Sequence, residues 1–549
     1  MEIALDQRIP TYSGGLGILA GDILRSSADL GLPVVGITLA YKSGYYHQII
    51  TGEGVQKESD VVWEPAQELE KISNFVDLVV GGKKVRIEAW LYRIIGSTGH
   101  DIPIYLLTTD VPGNDKEMRN VTGSLYDSDP LVRLAQELVL GIGGVKLLKE
   151  LGYSDIVTYH MNEGHSSLLT LELLRRFEGD VQATRDLCVF TTHTPVSAGH
   201  EKYDTVKVEK ILDGEYTSLL PHTMRMNGLD MTKLALDFSR YVNAVSVKHG
   251  EVVANMFPEH SFDTITNGIH TFTWLHPRLR SLFTRYFANL SNEPGNLREL
   301  NIIPKQELWN VHKEIKRELL SHIKASTGAD LSVDMLTFGF ARRMTRYKIP
   351  LLIFHDSDRL GRICRGKVQI LMAGKAHPAD EAGKMIIKKL IQASEYLLRE
   401  YGVRMIFIEN YEMELARMLV AGVDVWLNTP ERYLEASGTS GMKAALNGVP
   451  NFSVMDGWWI EGFNMSGGKG GWAIGPGPEV PGAEHRTNEE DAEDIYCIME
   501  NEIIPKYYND RERWVEIMKQ AIYMGAYFNT HRVVREYADK AWRLGDRQG

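Results

Sequence analysis

Cysteine is nearly absent from this sequence. Three in 549 residues, Cys188, Cys364 and Cys497, are too few and too widely spaced for a disulfide framework or a CxxC metal site. They read as free thiols, which suits a reducing compartment. Long apolar runs are missing as well: no window approaches the roughly 18 residues of a membrane span. The opening MEIALDQRIP lacks the basic start and apolar stretch of a signal peptide, so the expected location is the cytoplasm. Nor is there an excess of positive charge. Sixty-one basic against 72 acidic residues leave a formal net charge of −11. That balance argues against a nucleic-acid-binding face, although an acidic exterior leaves room for a basic pocket. No internal repeat or low-complexity tract is present.

What is there is ordinary globular composition, with 44% hydrophobic, 24% charged and 9% aromatic residues. At roughly 100–200 residues per domain, this length predicts at least two large domains. Short β-branched runs alternate with longer amphipathic stretches. Strands are expected at 32–39, 84–91, 102–108, 155–160 and 188–192, then at 335–340, 368–373, 404–409, 424–427 and 451–454. Helices are expected at 130–152, 165–178, 380–401, 414–422 and, in period, 510–542. Such alternation predicts βαβ units and parallel sheets with helices on both faces. The amphipathic stretch 305–326 is the natural connector between two such series, and glycine-rich 466–477 reads as a mobile loop. The expected division is 1–304, a connector at 305–330, and 331–549: two doubly wound α/β domains facing each other, with ligands at the carboxyl ends of the strands.

Three loops carry chemistry. The first, Tyr12 to Asp22 (YSGGLGILAGD), runs into a helical period, where glycines admit a ligand to the backbone and the helix start offers N–H groups to an anion. Gly15, Gly17 and Gly21 give GxGxxxG, one residue longer than the dinucleotide fingerprint; a plain tight turn is the other reading. The second, Phe340 to Lys348 (FARRMTRYK), ends a strand and places Arg342, Arg343, Arg346 and Lys348 within seven positions. They repel one another unless an anion sits among them or they fan into solvent; arginine's fork suits phosphate oxygens. The third, Glu435 to Asn447 (EASGTSGMKAALN), offers a small-residue nest at 437–441 and then a helix. Lys443 stands one helical turn after Thr439, so both can address one ligand. A lysine beside a phosphate nest meets the needs of pyridoxal phosphate, against the alternative of an exposed helix lysine. His193 and the turn 266–270 are polar strand-end features. His160 and His165 bracket Asn162 and Glu163 without the HExxH spacing, and no metal is assigned. Trp458-Trp459 reads either as a sugar-stacking platform or as a buried pair.

Taken together, SGGLGILAGD, MNEGHSSLL, FTTHTPVSAGHE, ITNGIHTFTW, GFARRMTRYK, AGKAHPADEAGK, ENYEMELARMLVAGVDVWLN and EASGTSGMKAALNG occur in order from residue 13 to about 475. The chain thereby resembles the α-glucan phosphorylases, the glycogen, starch and maltodextrin phosphorylases, in their compact archaeal and bacterial form. The resemblance implies two facing Rossmann-like domains of GT-B type around a deep cleft, the first binding glucan and the second pyridoxal 5′-phosphate. It implies phosphorolysis of the non-reducing terminal α-1,4 bond, releasing α-glucose 1-phosphate with retention and with the cofactor's phosphate as proton relay. The implied cofactor is an imine on Lys443, with Thr439, Gly438, Arg342, Tyr411 and Gly15 around it. The implied catalytic set is Arg343, Lys348, Lys443, His193 and Glu435. Substrate contacts would come from Asn267, Ser437, Glu435, Gly438, His193 and Tyr347, with His165 beside them. Partners would be α-1,4-glucan, phosphate and glucose 1-phosphate, in a homo-oligomer.

There are departures. Long family members read Ile-His-Glu where Met344-Thr345-Arg346 stands, and GTGNMK where this chain has GTSGMK. The chain opens on what reads as the tail of a strand, Met1 to Leu5, so regulation of the animal type is not expected and a shortened gene start is one reading. Two alternatives have their own signatures. A nucleotide-sugar synthase would need a nucleobase pocket and no anchoring lysine; a non-catalytic glucan-binding protein would have lost Lys443, Arg343 or Lys348.

Overall fold

The computed structural model describes residues 1–544. The chain divides into two compact units. One comprises Met1–Tyr46, Asp60–Thr266 and the segment from Val533 on; the other comprises His47–Ser59 and Asn267–Arg532. The expected boundary region 305–330 lies within the second unit, where Lys305–Thr327 is one 23-residue helix capped by left-handed Gly328.

Among the described residues the first unit holds two four-stranded sheets and a short antiparallel pair, Lys202–Tyr203 with Leu229–Asp230. One runs in the order β1 (Gly36–Leu39), β4 (Asp101–Thr108), β3 (Lys83–Ile95), β2 (Glu70–Val80). β1 and β4 are parallel, but β4, β3 and β2 pair antiparallel, so the expectation of wholly parallel sheets is corrected here. The reason is local: Gly81 and Gly82 both take positive φ (59° and 74°) and close a two-residue hairpin between β2 and β3. Burial then alternates along β3 from Val85 to Leu91, as in a strand with one wet face. The second sheet, β8 (Asp263–Thr264), β7 (Tyr241–Ala244), β6 (Cys188–Thr191), β5 (Tyr159–Asn162), is parallel throughout. The first unit also contains α1 (Gly15–Asp29) and α2 (Pro130–Leu138). The expected helix 130–152 is continued from α2 by a π turn, Val139–Gly143, and then by Gly144–Glu150.

The second unit is built on one six-stranded parallel sheet, β9 (Leu336–Ala341), β10 (Val368–Ala373), β11 (Met405–Ile408), β12 (Val425–Asn428), β13 (Asn451–Val454) and β14 (Gly471–Ile474). In space the order is β11-β10-β9-β12-β13-β14. The chain moves outward from β9 in one direction, then returns to its other side. That reversal is a topological switch point, and ligands in such sheets gather at the carboxyl ends of the strands beside it. β9, β10, β12 and β13 are buried at every position, as expected of strands covered on both faces. Helices α3 (Lys305–Thr327), α4 (Glu381–Tyr401), α5 (Met413–Gly422), α6 (Thr439–Leu446), α7 (Trp458–Met465) and α8 (Arg511–Tyr527) belong to this unit. Leu319, Leu320 and Ile323 of α3 pack with Leu415, Leu419 and Trp426 in one core. The segment 466–477, expected as a mobile loop, contains edge strand β14, paired to β13 from Gly471 to Ile474, so that expectation is corrected too. The last helix, α9 (Thr530–Lys540), follows a break at Phe528, dividing the expected stretch 510–542. No helix among the described residues is long and apolar enough to cross a membrane.

Candidate active site

The loops that follow β9 and β12 stand on either side of the switch point. After β9 the chain turns back on itself. Met344 donates its N–H to the Lys375 carbonyl (3.0 Å), Ile349 takes a left-handed conformation (φ 38°), and the Thr429 hydroxyl donates to the Ile349 carbonyl (3.0 Å). Glu431 closes the turn by donating its N–H to the Tyr347 carbonyl at 2.6 Å. This folding sorts the four cations. Arg343 and Arg346 are exposed, while the side chains of Arg342 and Lys348 are each 9% accessible and converge on Glu435. Lys348 Nζ donates to Glu435 Oε2 at 2.5 Å, and Arg342 Nη2 donates to the same oxygen.

Electrostatics follow from that geometry. Burial alone would raise the Glu435 carboxyl, but Arg342 and Lys348 outweigh it and hold it down at about 2. Burial and the Arg342 charge depress Lys348, with Glu435 opposing them. Burial resists ionisation of Tyr347, yet Lys348, Arg343 and Arg342 bring its phenol below the ordinary value. Arg343, although exposed, therefore acts on the cluster through its field.

The third loop behaves as its composition predicts, with one shift. The helix opens at Thr439, earlier than the expected Met442, behind Gly438 in a left-handed conformation (φ 91°). Lys443 is buried at 7% exposure, which excludes the exposed-lysine reading. Its Nζ lies 3.7 Å from the ring centroid of Trp274, itself 1% exposed. Asn447 fixes that partner by donating its amide to the carbonyls of Trp274 and Lys443, both at 2.8 Å. Thr439 and Lys443 lie one turn apart on α6. Tyr411 is half-buried at the end of β11, two strands from the switch point, against the core that contains Leu319 and Leu415. Asn267 is buried, its carbonyl accepting from Arg532 at 3.1 Å. Trp458 and Trp459 are each 1% exposed and pack edge to face, so they form core and not a sugar platform.

Several polar atoms here are buried without a partner: Ser437 Oγ, Asn267 Oδ1, and Arg342 Nε and Nη1. Buried polar groups are normally satisfied. A hydroxyl, an amide oxygen and two guanidinium nitrogens left over in one unit suit an anion and a polyhydroxylated ligand. The second unit therefore offers these groups to a phosphate-bearing ligand, and its buried Lys443 carries an amine.

The first unit carries the remaining predicted residues. α1 begins at Gly15. A Cβ on Gly14 or Gly15 would meet nothing within 4 Å, whereas one on Gly17 would lie 2.9 Å from Tyr12 Cβ and one on Gly21 2.2 Å from the Ala4 carbonyl. Packing thus explains Gly17 and Gly21, and open approach to the helix start explains Gly14 and Gly15. Glu2 fixes the loop by accepting from the N–H groups of Ser13 (2.6 Å) and Gly14 (3.1 Å). His193, after β6, shares a hydrogen bond with Asn162 Oδ1 at 2.7 Å, and its N–H donates to Glu163 Oε2 at 2.8 Å. Burial pushes its ring down to about 4, against the pull of Glu163, so it works as a neutral imidazole.

His165 lies 3.0 Å from Glu137 and 3.6 Å from Glu201. Burial opposes its charge, but the two carboxylates lift it to about 9. Glu137 is raised well above its ordinary value by burial and the Glu201 charge, so the pair holds a proton between them. Ligand atoms of Glu137, His165 and Glu201 lie within 4.8 Å of one another. Arg133 and the Tyr203 hydroxyl also donate to these carboxylates, so hydrogens fill this cage.

Sequence reasoning singled out neither Glu2 nor Asp456, and met Asn162 and Glu163 only as a failed metal motif and as part of the MNEGHSSLL segment, with no role given to either. Glu163 had one available signal, its place just after a predicted strand; the structure adds that it adopts φ 72°.

Comparison with known proteins points one way. The family described as Carbohydrate phosphorylase matches residues 217–475. A maltodextrin phosphorylase of Thermococcus litoralis is 39% identical over an alignment covering 98% of this chain and 69% of that protein. A glycogen phosphorylase of Aquifex aeolicus is 37% identical, covering 98% and 84%. An uncharacterized protein of Methanocaldococcus jannaschii is 32% identical, covering 99% and 98%.

Proposed function

We propose that this chain, which belongs to the carbohydrate phosphorylase family, is an α-glucan phosphorylase, a glycosyltransferase that passes a terminal glucosyl unit to inorganic phosphate. In the reaction a phosphate oxygen forms the new bond to C1 while the C1–O4 bond breaks. The departing O4 takes a proton, and configuration at C1 is retained. The observation that carries this reading is the convergence of Arg342 and Lys348 on partly buried Glu435 at the switch point, one loop away from buried Lys443.

The family is known to use pyridoxal phosphate, and we assign Lys443 as its attachment point, with Thr439, Gly438, Arg342, Tyr411 and Gly15 around it. When bound, that group supplies a phosphate whose second pKa of about 6 suits proton exchange near neutrality. The chain's own residues do the rest. Arg343 and Lys348 hold substrate phosphate, and their charge decides which oxygen keeps the proton. Tyr347, its phenol already eased toward ionisation, tracks the same field. Glu435, ionised throughout the working pH range, accepts sugar hydroxyls and does not attack carbon. The unpartnered Ser437 hydroxyl and Asn267 amide oxygen complete the sugar contacts, with neutral His193 in the first unit as a further one. The glucan-binding role expected of 1–304 goes to the first unit and the cofactor role expected of 331–549 to the second, which also takes in 267–304 and 305–330.

The deciding experiment is release of glucose 1-phosphate from maltooligosaccharide and phosphate, run beside Lys443→Ala. We expect activity in the wild type and loss of both bound cofactor and activity in the variant, by at least about 10³-fold. Borohydride reduction followed by peptide mapping should label Lys443. Undiminished phosphorolysis by the variant would remove the lysine from this role.

A further inference from the structure

Behind the loop that bears Glu435 and Ser437 lies a segment to which no function has been assigned, Met455 to Trp458, joining β13 to α7. Asp456 is 2% exposed at the carboxyl end of β13. Its Oδ2 accepts the Glu435 N–H at 2.9 Å and its Oδ1 accepts the Gly457 N–H at 2.8 Å. One residue on, the Trp458 N–H donates to the Ser437 carbonyl at 2.9 Å. Gly457 (φ 51°) sits so close that a Cβ there would lie 2.4 Å from the Ser437 carbonyl oxygen and 2.9 Å from that of Glu435. The backbone on both sides of Ala436 is therefore held by a strut of three consecutive residues, Asp456 to Trp458, and the carboxylate of the first faces the cation cluster.

We propose that Asp456 is the positioning residue of the substrate loop: its carboxyl sets where Glu435 and Ser437 stand, and its charge tunes how tightly the neighbouring cations bind an anion. This rests on the reading of Glu435 and Lys348 given above. Burial, with the Glu435 charge added, brings Asp456 up to about 7, against its two N–H bonds and Lys348. The charged groups that face it are Glu435 from its own loop and Lys348 from the turn after β9, with Arg342 behind Glu435 and the Tyr347 phenol beside Lys348. Loss of the Asp456 proton puts a second negative charge beside Glu435, so anion affinity falls as pH rises through neutrality.

The test uses the holoenzyme and Asp456→Asn, with Asp456→Ser as the second variant. Sulfate, which does not titrate in this range, serves as competitive inhibitor against phosphate. The cofactor's phosphate gives all three proteins some loss of sulfate affinity between pH 6 and pH 8; we expect the wild-type fall to exceed that of either variant by about tenfold. We also expect kcat for maltooligosaccharide phosphorolysis to drop about 10–100-fold at the variants' best pH, from misplaced hydroxyl contacts, with phosphate KM changed less than about threefold. Parallel sulfate profiles in wild type and variants, or unchanged kcat, would overturn the proposal. Failure of both variants to fold would also count against it, by making the strut purely structural. Absence of phosphorolysis by the wild type would instead defeat the functional reading itself, so the two failures are told apart.

Discussion

Two carboxylates in the second unit, one buried and one partly buried, each face two basic side chains, and they differ in what is left over. Asp424, at the foot of β12, is fully buried and accepts from Lys316 Nζ (2.5 Å), the Thr337 N–H (2.7 Å) and His312 Nε2 (2.9 Å). The Lys316 ammonium is completed by the Met335 carbonyl (2.6 Å) and the Tyr507 hydroxyl (3.3 Å). Glu435, at the opposite end of the sheet, has two cations, one of which keeps two buried N–H groups without acceptors. The first cluster leaves one ring nitrogen, His312 Nδ1, without a partner; the second leaves two guanidinium nitrogens, Arg342 Nε and Nη1. Buried ion pairs are weak evidence of stability in general. The leftover donors, not the pairing, mark the cluster at the switch point as the one that meets a ligand.

That contrast can be broken in order of effect. Asp424→Ala should cost about 3–5 kcal/mol in denaturant unfolding, because it strands a buried ammonium, and adding phosphate should not restore it. Specific activity of the remaining folded fraction should be normal. Glu435→Gln should lower kcat about 10²-fold, and its loss of stability should shrink when phosphate or sulfate is added, since an anion can take the carboxylate's place between Arg342 and Lys348. If phosphate rescues both variants or neither, the distinction between the clusters fails. Arg343→Ala, at an exposed position, should leave the melting temperature within a few degrees of wild type while raising phosphate KM about tenfold; an unchanged KM would free Arg343 from the site. The smallest effect is acid titration. The folded-state Glu435 carboxyl is held near 2, below its ordinary value of about 4.3. Its contribution is therefore fully present above that ordinary value and is lost as pH falls toward 2. Wild type should show this loss in acid unfolding curves, and Glu435→Gln should show less.

Much of this was legible beforehand, unevenly. β10 and β13 fall on the predicted residues because continuous β-branched runs between turn signals leave little choice. Lys305–Thr327 was legible from its period and the glycine that ends it. The hairpin of β2 and β3 was only half seen, although Gly81-Gly82 is a direct turn signal. β14 was hidden because Gly467, Gly468, Gly470 and Gly471 look like a flexible tract; Gly471 is required there, since a Cβ would come within 2.1 Å of the Asn451 carbonyl on β13. At the candidate site, residue types announced the basic turn and the buried lysine. Which two of four cations would turn inward depended on the Tyr347–Glu431 and Thr429–Ile349 hydrogen bonds, contacts that span about 80 residues and leave no local mark. Asp456 was missed because its neighbours Trp458 and Trp459 drew attention as aromatics, whereas the backbone between them and Asp456 supports the loop.

The interleaving of the two units has a consequence for biosynthesis. The hairpin His47–Ser59 belongs with a sheet whose first strand emerges from the ribosome nearly 280 residues later, and Gln48 then donates to the Gly374 carbonyl at 2.9 Å. Conversely, the earlier unit waits for the final helix: Val533, Val534 and Tyr537 pack with Val189 and Ile265, and the Thr158 hydroxyl donates to the Trp542 carbonyl across 384 positions. Each unit therefore depends on segments made far apart in the chain. A nascent chain must carry unsealed apolar surface until those distant segments emerge, which makes this protein a natural client for chaperones and a poor candidate for dissection into separately expressed halves.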